Sequence, residues 1–192
     1  DSSLFPTSQL TASIWVKAST QPNFRYVMAA PNNTSYVAYG FQTKTSGGVQ
    51  GLRFILNTGT AIISPLANVL DNNWHHIAST YDGSSLKMFV DGSEVGTGTS
   101  TSGSIIYGTG AGTGAGKLLL GDFGLFSLFF SGSLSNCSIW NAALTSTQVT
   151  ELYNSGKPSN LNSHSAYLNL VSWWQLGENS SFDGANWTVL NE

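Results

Sequence analysis

Ten carboxylates, three histidines and one cysteine are the groups in this 192-residue chain that could carry acid–base, nucleophilic or metal chemistry. Cleaving a glycosidic bond takes two carboxyl groups about 5 to 9 Å apart on either side of the linkage. On a strand, that demands acids at i and i+2 or i+4, pointing to one face. Glu94, Glu151, Glu178, Glu192 and the six aspartates are dispersed so that no two share a predicted strand at this spacing. Asp82 and Asp91 each precede a glycine in a turn, and Glu151 falls on a predicted helix. His75 and His76 are strand neighbours and must point to opposite faces, one toward the core or between the sheets, the other to the surface or rim. His164 lies in a loop with no partner that the sequence suggests. Cys137 is alone, so no internal disulfide forms, and on an apolar strand it is expected as a small buried filler. The tract from Gly108 to Lys117 is no phosphate loop. Ala111 stands where the first glycine belongs, Leu118 replaces the Ser or Thr, and no helix follows. On this inventory the chain is read as not an enzyme.

The elements that would position these groups are strands. Leu10 to Ala18 alternates, with Ala12, Ile14 and Val16 on one face and Ser13, Trp15 and Lys17 on the other. Tyr26 to Ala30 and Tyr36 to Thr43 bracket a Pro-Asn-Asn-Thr turn signal, and Leu52 to Leu56 and Ala61 to Ser64 bracket Asn57 to Thr60. Trp74 to Tyr81 and Leu86 to Val90 read as strands ending in Asp-Gly turns, where glycine supplies the positive φ of a tight hairpin. A Gly/Ser/Thr tract follows, broken by Ser104 to Tyr107, which reads as one short strand. Lys117 to Gly121 and Gly132 to Trp140 are nearly continuous in apolar or small residues, as expected of central strands. One helix is signalled: Thr145 and Gln148 make a capping box, Leu144 staples to Val149, Val149, Leu152 and Tyr153 form the buried face, and Gly156 stops it. Tyr167 to Leu176 closes the series as a strand.

Composition bounds the function classes. Apolar residues make up 41% and aromatics 12%, ample for a two-sheet core, while charged residues are only 9%, against about 25% in an average soluble domain. A surface of Ser, Thr, Asn and Gly suits an extracellular or virion location. Seven Lys plus Arg, spread singly in a chain of net charge −3, give no cationic face for nucleic acid. No apolar run approaches the roughly 18 residues of a membrane span, so membrane insertion is not expected.

The order of the segments SIWVK (13–17), WHHIASTYDG (74–83), LKMFVDG (86–92), KLLLG (117–121) and GSLSNCSIWNAALTSTQVTELYNSG (132–156) resembles the laminin-G-like and pentraxin-like domains of the concanavalin A-like lectin/glucanase superfamily, of the kind found in microbial and phage surface proteins. Its most specific mark is Ile139-Trp140-Asn141 followed by Ala143-Leu144 and the capped helix. The likeness covers roughly Leu10 to Gly156, with a closing strand to Gly177. It implies an all-β, antiparallel two-sheet jelly-roll sandwich with one short α-helix near 146–154. The closing SWWQLGENSSFDGANW (172–187) is similar to segments of marine phage structural proteins. Such domains usually begin with a Phe-Asp-Gly strand, whereas here Phe182-Asp183-Gly184 and Trp187 to Leu190 come last. Residues 1–192 are therefore expected to be one domain, a fragment or processed piece of a longer chain, whose tail fills the first-strand position in itself or a neighbour.

The resemblance also implies a test for calcium. The laminin-type site wants an acid after the RFIL strand, where Asn57 to Thr60 offer none. The pentraxin-type site wants an acidic cluster after KLLLG, where Asp122 stands alone, with Asn32 and Asn33 able to lend neutral oxygens. No metal is expected, and Asp122 is the anchor if calcium binds.

The first functional reading is a non-catalytic recognition or adhesion module that binds a glycan or a cell-surface or virion protein through loops 32–36, 58–60, 107–117 and 122–126. Asn32, Asn33, Tyr36, Thr58, Tyr107 and Asp122 are the ligand-binding candidates, with the tyrosines as stacking surfaces. The alternative is a structural assembly module, a capsid decoration or fibre domain, joined to a second copy or a neighbouring domain through an exposed apolar ridge of Phe123, Leu125 and Phe126. A glycoside hydrolase comes third.

Overall fold

Alternating apolar residues on two antiparallel sheets meet to form the core, in a computed structural model that describes residues 5–32, 37–108, 117–123, 128–176, 181–182 and 187–188. The strands are β1 (Leu10–Ser19), β2 (Tyr26–Pro31), β3 (Val37–Ser46), β4 (Val49–Asn57), β5 (Ala61–Ile63), β6 (Asp71–Tyr81), β7 (Ser85–Val90), β8 (Ser93–Glu94), β9 (Thr99–Ser100), β10 (Leu119–Leu120), β11 (Ser133–Trp140), β12 (Leu170–Trp174), β13 (Ser181–Phe182) and β14 (Trp187–Thr188). One sheet has the order β12-β11-β1-β6-β7-β8, with β9 also on β7, and the other β10-β2-β3-β4-β5. This is the jelly-roll sandwich expected from the sequence.

Ala12, Ile14, Val16 and Ile77 of the larger sheet pack against Met28, Phe41, Phe54 and Leu56 of the smaller one, all fully buried. Cys137 is buried among them, and burial raises its thiol pKa well above the usual range. The alternation in β1 is thus correct, but its other face is covered too: Ser13 and Trp15 are 2% and 5% exposed. The helix α1 (Ser146–Tyr153) and the segment after it lie over that face, where Trp140, Leu144, Val149, Leu152, Leu161 and Trp173 form a second apolar cluster. Tyr153 stacks on Trp15 at 5.9 Å.

The capping box is present: the Thr145 hydroxyl accepts from the Gln148 amide and the Gln148 side chain accepts from the Thr145 amide at 2.9 Å. Thr145→Ala leaves the Gln148 amide without its hydroxyl acceptor and costs about 1 kcal/mol, measurable by urea denaturation. The helix ends earlier than Gly156, at Asn154, whose φ of 47° and amide bond to the Thr150 carbonyl make the left-handed cap that asparagine tolerates. At the β7–β8 hairpin, Asp91 and Gly92 both have positive φ (49° and 79°), the geometry of a two-residue primed turn.

Three expectations for the elements fail. Ser104 to Tyr107 is not a strand: Ile105 inserts into the core, while the amides of Ile105 and Ile106 bond to Thr7 and Asn57 carbonyls outside any ladder. β10 keeps two residues of the predicted 117–121 strand and lies at a sheet edge, half-buried rather than central. Tyr167–Asn169 is a turn of 3-10 helix, so the closing strand begins at Leu170. Among the described residues of the tail, β13 pairs with β14, apart from both main sheets. Among the described residues, no helix is long and apolar enough to cross a membrane.

Candidate functional site

The outer face of the five-stranded sheet is built in rungs. Because Phe41 and Phe54, and Tyr39 and Leu56, pair toward the core, the residues between them point outward. One rung is Tyr26–Gln42–Arg53, the next Ala29–Gly40–Ile55–Ile63, and a third joins Asn57 to Ala61. At the β2 end of the middle rung Ala29 is fully buried and packs with Tyr26 and Val37. A Cβ on Gly40 would come within 2.5 Å of the Met28 carbonyl oxygen, so only glycine lets β2 and β3 approach this closely. A groove of about 540 Å³ lies over this face, lined by Asn32, Tyr26, Arg53, Ile55, Asn57 and Ile63 together with the Gly59–Thr60 turn. That volume is within the range of small-ligand sites.

Arg53 Nε and Nη2 both donate to Gln42 Oε1, at 3.2 and 2.9 Å. Burial lowers the Arg53 pKa from its ordinary value, partly opposed by the Tyr26 phenol. Tyr26 is pushed up to about 12 by its own burial and stays neutral at physiological pH. Asn32 is 5% exposed, and its Oδ1 is buried without a hydrogen-bond partner. No described residue lining the groove carries a carboxylate.

Of the predicted ligand residues, Asn32 is in the groove. Thr58 is not: its hydroxyl lies 3.5 Å from that of Thr101, and its neighbours Asn57, Gly59 and Thr60 face the groove instead. Tyr107 is no stacking platform. Its hydroxyl donates to the Pro6 carbonyl at 2.8 Å, its ring meets Phe5 and Tyr39 edge-on, and burial raises its pKa. Phe123 is 4% exposed and stacks on Tyr26 at 4.8 Å, so it belongs to a small apolar cluster with Ala29 and Val37 rather than to an exposed ridge. Its aromatic face is satisfied by Tyr26, which the sequence could not show. Asn33, Tyr36, Leu125 and Phe126 lie outside the described residues. Asp122 Oδ1 accepts the Phe123 amide at 2.6 Å, and no three His, Cys, Asp or Glu side chains converge among the described residues.

The sequence missed Arg53, Ile55, Asn57 and Ile63. Their signal was the alternation of Arg53-Phe54-Ile55-Leu56-Asn57, which places an arginine and an amide on the face opposite the core.

The histidines separate as expected. His76 is 1% exposed, with Nε2 at 2.8 Å from the Ser13 hydroxyl and Nδ1 buried without a partner beside a cavity of about 10 Å³. His75 lies on the other face, between Asp91 (2.8 Å) and Asp71 (3.2 Å). Two carboxylates therefore meet on one imidazole on β6. His164 has partners after all: Nε2 is 3.0 Å from the Gln148 carbonyl, Nδ1 accepts the Ala166 amide, and the ring packs on Trp140 at 4.7 Å.

Residues 1–150 match the laminin-G-type family described as the concanavalin A-like lectin/glucanases superfamily. The chain belongs to this superfamily. Among curated proteins, none matches it in sequence. Solved structures of the superfamily's fold resemble it at low identity. A protein from Bacteroides ovatus, described as a candidate carbohydrate-binding protein, has a TM-score of 0.68 at 17% identity; the match covers 95% of this chain and 49% of that one, so this chain spans about half its length. Domain 4 of the extracellular arabinanase AbnA from Geobacillus stearothermophilus, in complex with arabinotriose, has a TM-score of 0.57 at 20% identity, covering 79% and 69%. The heptameric SAP-like pentraxin of Limulus polyphemus has a TM-score of 0.58 at 16% identity, covering 98% and 82%. At these identities the likeness concerns the fold that this superfamily shares, and the site must be argued from its own residues.

Proposed function

We propose that this superfamily member is a non-catalytic glycan-binding module of an extracellular or virion surface, and that its ligand lies in the groove over the five-stranded sheet. The observation that carries the reading is the groove itself. It is a recess of about 540 Å³ in which apolar Ile55 and Ile63 adjoin the amides of Asn32 and Asn57 and the guanidinium of Arg53. A sugar offers the same mixture, an apolar C–H face rimmed by hydroxyls. Fold relatives described as carbohydrate-binding, one of them holding arabinotriose, support the assignment. That no described residue lining the groove carries a carboxylate supports binding without hydrolysis, since cleavage needs a paired acid and base.

A glycan array probed with the chain and with Thr60→Trp tests this. Thr60 is an exposed turn residue on the groove rim, so an indole there obstructs the recess while leaving the core intact. The expected result is retention of at least one oligosaccharide class, weakened about tenfold or more by the variant. Leu168→Ser, at a side chain 93% exposed and outside the groove lining, should bind as the parent does. Equal binding by Thr60→Trp, or no retained glycan, overturns the reading.

A further inference from the structure

We infer that the groove selects a sugar bearing a carboxylate, which sits on the free edge of Arg53; this rests on the groove being the glycan site. The guanidinium has five N–H bonds in a fixed fork. Its Nε–Nη2 side clasps the single oxygen Gln42 Oε1, which fixes the plane of the group on the outer face of β4. The end-on edge, made by Nη1 and Nη2, has no partner in the described structure. Two parallel N–H bonds on such an edge match the two oxygens of a carboxylate.

The charge around it points the same way. Among the described residues, no carboxylate lies within ion-pair distance of Arg53, whereas Lys87 meets Glu94 at 3.2 Å. The groove residues that flank Arg53 are neutral: Tyr26, Ile55, Asn57 and Asn32. Tyr26 holds its phenolic proton and so supplies no counter-charge. A chain with only seven Lys plus Arg and net charge −3 therefore places one uncompensated cation in a half-buried recess. Partial desolvation weakens its hydration, and an anionic ligand group restores what is lost. Asn32 and Asn57 remain for hydroxyls, and Ile55 and Ile63 for the ring.

Isothermal titration with uronate and sialate oligosaccharides, each paired with its methyl ester, tests the inference, because the ester keeps the rings, hydroxyls and length and removes only the charge. At low ionic strength the free acid of at least one pair should bind about tenfold or more tighter than its ester, with the difference narrowing as salt is added. Arg53→Gln should abolish that preference, and Arg53→Lys should retain only part of it, since an ammonium keeps the charge without the fork. Thermal denaturation of both variants confirms that they fold. Equal affinity for acid and ester, with both lost in Thr60→Trp, overturns the carboxylate inference and leaves the groove as the glycan site. A preference that survives Arg53→Gln overturns the role of Arg53. Absence of binding to every saccharide overturns both readings.

Discussion

Trp140→Ala lowers the free energy of unfolding by about 3–5 kcal/mol. Trp140 is the last residue of β11, fully buried, and paired across to Thr11 of β1 and Leu170 of β12. Its ring is the centre of the cluster that fastens α1 to the larger sheet, with Leu144, Val149 and Leu152 around it and His164 at 4.7 Å. Its indole N–H donates to the Ser138 hydroxyl at 2.8 Å. Truncation opens a cavity between side chains held by the sheet on one side and by α1 on the other, and it strips Ser138 of a partner. For a chain of this size, each kcal/mol shifts Tm by about 2–4 °C, so calorimetry should record a fall of roughly 6–20 °C. Trp140→Phe, which keeps most of the volume, should lose much less. A change of under about 1 kcal/mol in Trp140→Ala would mean that the cluster does not hold the helix.

The second large effect is on pH. His76 is buried beside Ser13, and burial pulls its pKa from 6.5 down to about 4, with Asp91 opposing weakly. Below pH 6.5 the unfolded chain takes up a proton that the folded chain refuses until about pH 4. The unfolded state then binds more protons, so stability falls as pH drops through this window and is fully present above it. The loss between pH 7.5 and pH 4.5 is about 2–3 kcal/mol, and urea denaturation at the two values reads it. His76→Gln keeps a polar group near Ser13 and cannot titrate, so its curve should be nearly flat over the same range. An equal slope in the variant would assign the effect elsewhere. Asp71 acts lower on the scale: side-chain and backbone hydrogen bonds from Asn73 hold its carboxyl down to about 2, so its contribution is lost only as pH falls below the ordinary carboxylate value near 3.8.

The readable parts of this molecule obeyed local rules. The Thr145–Gln148 box needs only residues three apart, and the Asp91-Gly92 turn only two neighbours. The alternation of Ala12, Ile14 and Val16 needs only the pleat, and it named the core face of β1 correctly. Where an expectation failed, the deciding partner was distant in sequence. Phe123 looked exposed because its stacking partner, Tyr26, is 97 positions away. Tyr107 looked available because nothing near it announces Pro6 as the acceptor of its hydroxyl. Ile105 and Ile106 looked like a strand, yet one enters the core alone while the backbone bonds elsewhere.

By itself, then, the amino-acid order determined the strands and one capped helix, buried Cys137 and split the two histidines between faces, since periodicity and capping are properties of adjacent residues, while the two-sheet sandwich came from the family resemblance of its segments. Only the folded chain decided where a ligand has room. The groove exists because Tyr26 of β2, Val37 of β3, Arg53 and Ile55 of β4 and Ile63 of β5 come together on one face, with Arg53 held by Gln42. That juxtaposition depends on the register of four strands, and register is fixed by the core on the opposite face rather than by the residues that form the site.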